Sequence, residues 1–308
     1  MKISIATLFS LSILFMGGCT FGPKAIKDNF THYNNTLHYN QNQQLLINIV
    51  RMKYREPVTF MKVGTLSTGY SYGMSSSYSG SKSYPKNPTA RILGWNFGTN
   101  YSEKPTITYN MIEGETFVKQ MMKEIDTEAF VLLYRSGWPI DKLMYLLMEN
   151  TGTNSIDDNV FDDIAIKLKR LQKENKLDLF IKEKDKVKTI VATWNDEDAI
   201  DKKIKKYEDL AFNMRSFNDV MFELSKCVNV PPMDNDVVKE QNTNSDFKVL
   251  CGLQNKRAFI SVLYRGHRFY IPDQDLESKN YFTLLRTLYQ LQSGDIKSVQ
   301  PVFTISNN

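Results

Sequence analysis

Histidine is scarce in this 308-residue chain, with three in all, and so is cysteine, also with three. His32 and His38 fall in a polar N-terminal stretch and His267 follows Gly266 in a tight turn, so no His–Asp–Ser arrangement and no zinc-ligand spacing can be drawn. Charge of one sign is lacking too: 39 basic residues stand against 34 acidic ones, a formal net charge of +5. The lysines are dispersed among carboxylates, as in KEKDKVK, which reads as solvated faces and excludes a nucleic-acid patch. Beyond the first fifteen residues no apolar run approaches the ~20 residues that a membrane-spanning helix needs. Apart from two paired strands described below, internal repeats are absent.

What is present begins at the N-terminus. Lys2 precedes an apolar run from Ile3 to Phe15 that ends in Met16, Gly17, Gly18 and Cys19. A basic start, a short apolar stretch and small residues before the cut define a secretory signal. The Gly-Gly-Cys ending resembles a bacterial lipobox, with Met16 in the place of the usual leucine. That resemblance implies removal of residues 1–18 and a diacylglyceryl and N-acyl lipid, palmitate among its chains, on Cys19. Thr20 following the cysteine implies the outer rather than the inner membrane. No other cofactor is implied. In an exported protein Cys227 and Cys251 are free to form a disulfide or to remain apart, since spacing alone does not bring two side chains together.

Residues 19–41 read as a polar lipidated tether. From Asn42 the pattern turns helical, with Leu45, Leu46, Ile49 and Val50 near one face and Pro57 as a stop. The period then changes from 3.6 to 2. In GYSYGMSSSYSG, residues 69–80, large side chains alternate with serine and glycine. Tyr70, Tyr72, Met74 and Tyr78 share one parity, and after a Gly/Ser/Pro loop Leu93, Trp95, Phe97 and Tyr101 repeat the pattern. A strand sends alternate residues to opposite faces, so the two segments predict a long antiparallel hairpin over 58–104 with one aromatic and one narrow polar face. Pro105 is expected to end it before TITYN.

Residues 113–308 are expected to form an α+β body, mostly helical with small antiparallel strands. Short helices follow Glu115, another spans 156–173, LDLFIKE pairs with TIVATW, and a long amphipathic helix covers 196–227 with a break near Ser216. Three strands follow in SDFKVLCGL, AFISVLYRG and HRFYIPD, and Ser278 is expected to cap a last helix bearing Tyr281, Phe282, Leu285, Leu288 and Leu291. The predicted fold class is therefore α+β with a long projecting β-hairpin, the segment 42–112 contributing a helix and that hairpin.

Chemistry-bearing candidates are few. Ser79 to Lys82 and Ser83 to Lys86 match S-x-x-K, a spacing that serves a serine nucleophile only on a helix, whereas here it falls in a loop. Asp273, Asp275 and Glu277 offer oxygen ligands for calcium or, more simply, carboxylates at a helix start. Glu113 and Glu115 present the same choice between acid–base work and a helix N-terminus. Arg265 and Arg268 suit either an anion or apolar surface covered by their stems. Arg51, Lys53 and Arg55 read as a solvated helix face.

Three segments, QQLLINIVRMKYREPVTFMKV (43–63), YSEKPTITY (101–109) and YRGHRFYIPDQDLESK (264–279), with a PVFTI ending, resemble a family of uncharacterised bacterial lipoproteins. The resemblance implies an exported lipoprotein of this layout and brings no reaction or catalytic residue with it. The hairpin admits three readings: a sheet covering its own body, an exposed arm for a protein partner or further copies of the chain, and a membrane element in a shared barrel. The function read from sequence is a non-enzymatic structural or assembly component of the outer membrane, bound to it through lipid. The alternatives are an enzyme acting on envelope polymers and a binding module on the soluble side.

Overall fold

The computed structural model describes residues 21–81, 92–149, 158–184, 187–194, 213–238, 246–252, 257–294 and 303–306. Cys19, most of the 80–90 loop and residues 196–212 of the expected long helix lie outside them. In chain order the elements are α1 (Phe21–Lys53), β1 (Phe60–Ser81), β2 (Ile92–Ile112), α2 (Glu115–Met122), α3 (Thr127–Arg135), α4 (Ile140–Leu147), β3 (Met148–Glu149), α5 (Asp158–Lys173), β4 (Leu177–Lys184), β5 (Val187–Trp194), β6 (Asn213–Met214), α6 (Phe217–Lys226), β7 (Leu250–Cys251), β8 (Ala258–Tyr264), β9 (His267–Pro272), α7 (Leu276–Ser293) and β10 (Phe303–Ser306). This is a mixed α+β fold. It divides into two compact units, a body of residues up to 58 with 118–294, and a ribbon of 59–117 with 295–308.

In the body, α1 starts where the tether was expected, at Phe21. Pro23 falls in the first turn, where its missing N–H costs nothing, and asparagine lowers helix propensity by only a few tenths of a kcal/mol per residue. The apolar face nevertheless begins at the expected place: Leu45, Leu46, Ile49 and Val50 are fully buried, against α6 and β8. Gln43 donates to the Ser261 carbonyl at 2.9 Å, tying α1 to β8. Helix α4 is enclosed almost all round, packing on α3, α5 and α6. Its N-cap, Pro139, has no side chain able to accept. Gln172 of α5 substitutes for it, accepting from the Ile140 N–H at 2.8 Å and donating to the Trp138 carbonyl at 2.9 Å.

The expected break near Ser216 is a helix start: Ser216 and Asp219 form a reciprocal capping box at the head of α6. At α7 the cap moves. Asp275, not Ser278, occupies the N-cap position and accepts from the Ser278 N–H. Ser278 is fully buried instead, its hydroxyl accepting from the Lys248 N–H at 2.8 Å. Strands β4 and β5 pair antiparallel, and the three-stranded sheet runs β7-β9-β8. The β8–β9 turn is two residues long, Arg265 at φ 49° and Gly266 at φ 80°. Positive φ at both positions is the twist-matched hairpin turn, and arginine adopts it at a cost that glycine or asparagine would not incur.

In the ribbon unit β1, of 22 residues, pairs antiparallel with β2, of 21, from Phe60 opposite Ile112 to Ser81 opposite Ile92. Pro105 does not end β2 but stands in register opposite Thr68. Among the described residues strand β10 adds to the far side of β2 only at Thr106–Tyr109, so Pro105 comes just where that edge is no longer paired by β10, a position that tolerates a missing N–H. Phe60 and Ile112 are buried, with the Phe117 ring edge-on to Phe60 at 5.5 Å.

Candidate interaction ribbon and the polar centres of the body

Register fixes what each face of the ribbon carries. Val63 pairs with Tyr109 and Thr65 with Thr108, leaving Gly64 as a bulge. One extra residue inverts the parity of everything beyond it. Below the bulge Phe60 shares a face with Ile112. Above it, that face holds Thr65, Ser67, Gly69, Ser71, Gly73, Ser75 and Ser77 opposite Thr108, Thr106, Lys104, Ser102, Asn100, Gly98 and Asn96. The opposite face takes the positions of Tyr70, Tyr72, Met74 and Tyr78, which pair with Glu103, Tyr101, Thr99 and Trp95; Leu93 pairs with Gly80 and Phe97 with Ser76. Phe97 is 75% exposed. The predicted contact residues thus fall on one side of one sheet.

Glycine has two different uses here. A Cβ on Gly64 would lie 2.9 Å from Nδ2 of the buried Asn110, so the bulge needs glycine for close approach. On the polar face a Cβ at Gly69 or Gly73 would meet its nearest neighbours at 3.9 and 3.7 Å, ordinary contact. Packing between β1 and β2 does not require glycine at either of these positions, although glycine in a strand costs roughly 0.5–1 kcal/mol, whereas at Gly98 on the same face a Cβ would lie 2.8 Å from the Ser75 Oγ.

The body contains two polar centres. In the first, Lys142 of α4 is buried, pairs with Glu277 of α7, and holds its ammonium 4.8 Å from the centre of the Tyr281 ring. Burial pushes the Lys142 pKa down against the opposing pull of Asp141 and Asp246. Asp141 binds Lys169 at 2.6 Å through one oxygen, and its other oxygen is buried without a hydrogen-bond donor among the described residues. A buried amine of lowered pKa is chemically a base or nucleophile. Here Glu277 and Tyr281 hold it as an ion pair. Sequence reasoning passed over Lys142; the signal was a short helix, IDKLMYLL, apolar on too many sides to leave its first turn in water.

The second centre joins the end of α1 to the β8–β9 turn. Tyr54 donates to Asp234 at 2.6 Å, Tyr264 donates to Glu56, and the Arg265 guanidinium lies 4.8 Å from the centre of the Tyr54 ring. Tyr54, Tyr264 and Phe269 form a three-ring cluster with centres 5.7–6.5 Å apart. Burial, followed by the hydrogen bond to Glu56 and its charge, pushes the Tyr264 hydroxyl up to about 12. Arg265 therefore covers an aromatic surface, and Arg268 donates to the Ser261 hydroxyl at 3.3 Å.

The remaining candidates separate. Asp273 pairs with Lys279 at 2.9 Å, Asp275 caps α7 and Glu277 pairs with Lys142, so the three carboxylates take different partners. Among the described residues no group of three potential ligands gathers for a metal. Glu113 and Glu115 are exposed at the head of α2, and Arg51 donates to Asn48. Lys53, expected on a solvated face, is buried and donates to the Lys226 carbonyl at 3.0 Å. Ser79 stands in a strand, while Lys82, Ser83 and Lys86 lie outside the described residues. Cys227 and Cys251 are free thiols. The bridge of Val228 to Val249 aligns Cys227 with Lys248, three positions short of Cys251, which is ~10 Å at strand rise and beyond disulfide reach. Among the described residues no helix is long and apolar enough to cross a membrane.

Family models, curated proteins and solved structures were compared with the chain, and none matches it.

Proposed function

We propose that this chain is an exported bacterial lipoprotein of the outer membrane, a structural or assembly component, with the β1–β2 ribbon as a projecting contact arm. The observation that carries the reading is the distal ribbon. Its polar face carries Gly69 and Gly73, which packing between the two strands does not require, and its other face repeats aromatic positions over both strands. Two positions that gain nothing from glycine within their own strand pair gain from it when another surface approaches closely. The Lys2–Cys19 pattern supports a lipid anchor on Cys19, and the resemblance to uncharacterised lipoproteins supports export.

Two measurements test it. Labelled acyl chains are expected on the wild-type protein and absent from Cys19→Ala; an unlabelled wild type ends the lipoprotein reading. The mature lipidated protein in mild detergent is then compared by light scattering with a copy whose residues 66–101 are replaced by a short Gly/Ser linker. A complex that falls to monomer on replacement supports the contact arm, and a mass unchanged by the replacement removes it.

A further inference from the structure

Among the described residues the distal ribbon has two unpaired edges. β1 is, among those residues, the outer strand of its sheet, and β10 covers β2 only at Thr106–Tyr109. Above that level the edges are β1 from Leu66 to Ser81 and β2 from Ile92 to Pro105. Natural edges are kept apart by charge, proline or bulges. All of those devices are concentrated at the base: Lys62, the Gly64 bulge, Glu103, Lys104, Pro105 and the covering strand β10. Between Thr65 and Ser81, and between Ile92 and Ser102, there is neither a charged residue nor a proline. At strand rise these stretches span roughly 55 Å on β1 and roughly 35 Å on β2.

We infer that the partner of the ribbon is a second copy of this chain, joined edge to edge, β2 of one copy against β1 of the next. This deepens the contact-arm reading and rests on it. The chain carries both halves of such a contact. β1 and β2 run in opposite directions, so copies related by rotation meet with β2 antiparallel to the neighbouring β1, and the same step repeats around a ring. A foreign strand would satisfy one edge and leave the other exposed, whereas a closed ring leaves none. The Ser/Gly/Asn face then lines the inside, where small residues let several strands converge, and the aromatic positions face outward. β10 and Pro105 mark the level at which pairing between copies stops.

The test uses the full lipidated chain carrying Cys227→Ser and Cys251→Ser. Ser71→Cys in β1 is mixed before oxidation with a ladder of single variants in β2, Asn96→Cys, Asn100→Cys and Lys104→Cys, all on the same face. The expected result is a covalent dimer from the mixture with one or two ladder members, none from Ser71→Cys alone, and a light-scattering mass of three or more copies. As a folding control, Ser71→Cys and Ser102→Cys in one chain, which stand opposite each other in register, are expected to close an internal disulfide. Cross-linking of Ser71→Cys to itself overturns the inference, because a β1–β1 contact closes at two copies. So does a ribbon-dependent complex in which no ladder member reacts; the contact arm then survives with a different partner. A monomer with and without the ribbon ends both.

Discussion

Two antiparallel strand pairs in this protein obey the same hydrogen-bond rules and differ in everything around them. The β8–β9 pair is short, closed by the Arg265–Gly266 turn, continued by β7 and packed by α1. Its aromatic residues face partners in the same unit: Phe269 is fully buried, and Tyr264 reaches Glu56. The β1–β2 pair is about three times as long, and only its base resembles the other, with Phe60 and Ile112 buried and β10 beside Tyr109. Above Gly64 the large residues keep their alternation, while beyond Thr65 the opposite face carries only serine and glycine on β1, opposite Thr106, Lys104, Ser102, Asn100, Gly98 and Asn96 on β2. One pair completes a core. The other continues well past the last described residue that β10 covers, with Phe97 exposed on it.

The largest expected difference comes from one substitution made in both pairs. Phe269→Ala is expected to destabilise the body by about 3–5 kcal/mol, the cost of a large cavity in a closed core. Phe97→Ala, at a position 75% exposed, is expected to change the thermal midpoint of the monomer within the spread of ordinary surface substitutions, about 0.5 kcal/mol. Calorimetry on both variants decides, and a large loss for Phe97→Ala would show that the distal ribbon is a covered face of its own protein.

The ribbon's own glycines sharpen the comparison at a smaller scale. Gly64→Ala is expected to cost about 1–3 kcal/mol, since its Cβ runs into the buried Asn110 amide. Gly73→Ala has room for its Cβ and is expected to stabilise the isolated chain by roughly 0.5–1 kcal/mol while weakening assembly. Hydrogen exchange on ribbon amides, read in the monomer and in the complex, separates the two effects. Equal behaviour of the two variants in both states would remove the distinction between base and distal face.

Much of this was legible in the sequence wherever the determinant was local. The change of period after Pro57, the stripe of α5, the charged turn between β4 and β5 and the break before α6 are all set by residues within a few positions of one another. What escaped was set at long range. Nothing near Phe303 announces that it pairs with Tyr109, and Pro105 remains inside β2 on an edge that β10, among the described residues, does not reach. The isolated Gly64 was a visible signal for a bulge, yet its consequence, the exchange of faces between Phe60 and Thr65, needs the register. Ser278 is a good capping residue by type, but Asp275 takes the cap because the Ser278 hydroxyl is engaged with the Lys248 N–H. Lys53 reads as solvated because lysine usually is, and Lys142 draws no notice, yet both are enclosed by elements far away in the chain.

The smallest effect tests the embedded pair alone. The Tyr264 hydroxyl donates to Glu56 beside the Tyr54 ring, and its pKa stands at about 12 against an ordinary value of 10. Because the folded pKa is raised, the folded state holds the proton more tightly than the unfolded chain does. That contribution is fully present below pH 10 and is lost as pH rises toward 12. Tyr264→Phe is therefore expected to unfold over a shallower pH range on the alkaline side, and to remove one late-ionising component from the tyrosinate absorbance titration. Tyr289, which burial alone pushes up to about 12, keeps its own component in the variant and serves as the internal reference. An unchanged titration would mean that the turn opens before its tyrosine ionises, and that β8–β9 is held less tightly at Arg265 than the stacking on Tyr54 implies.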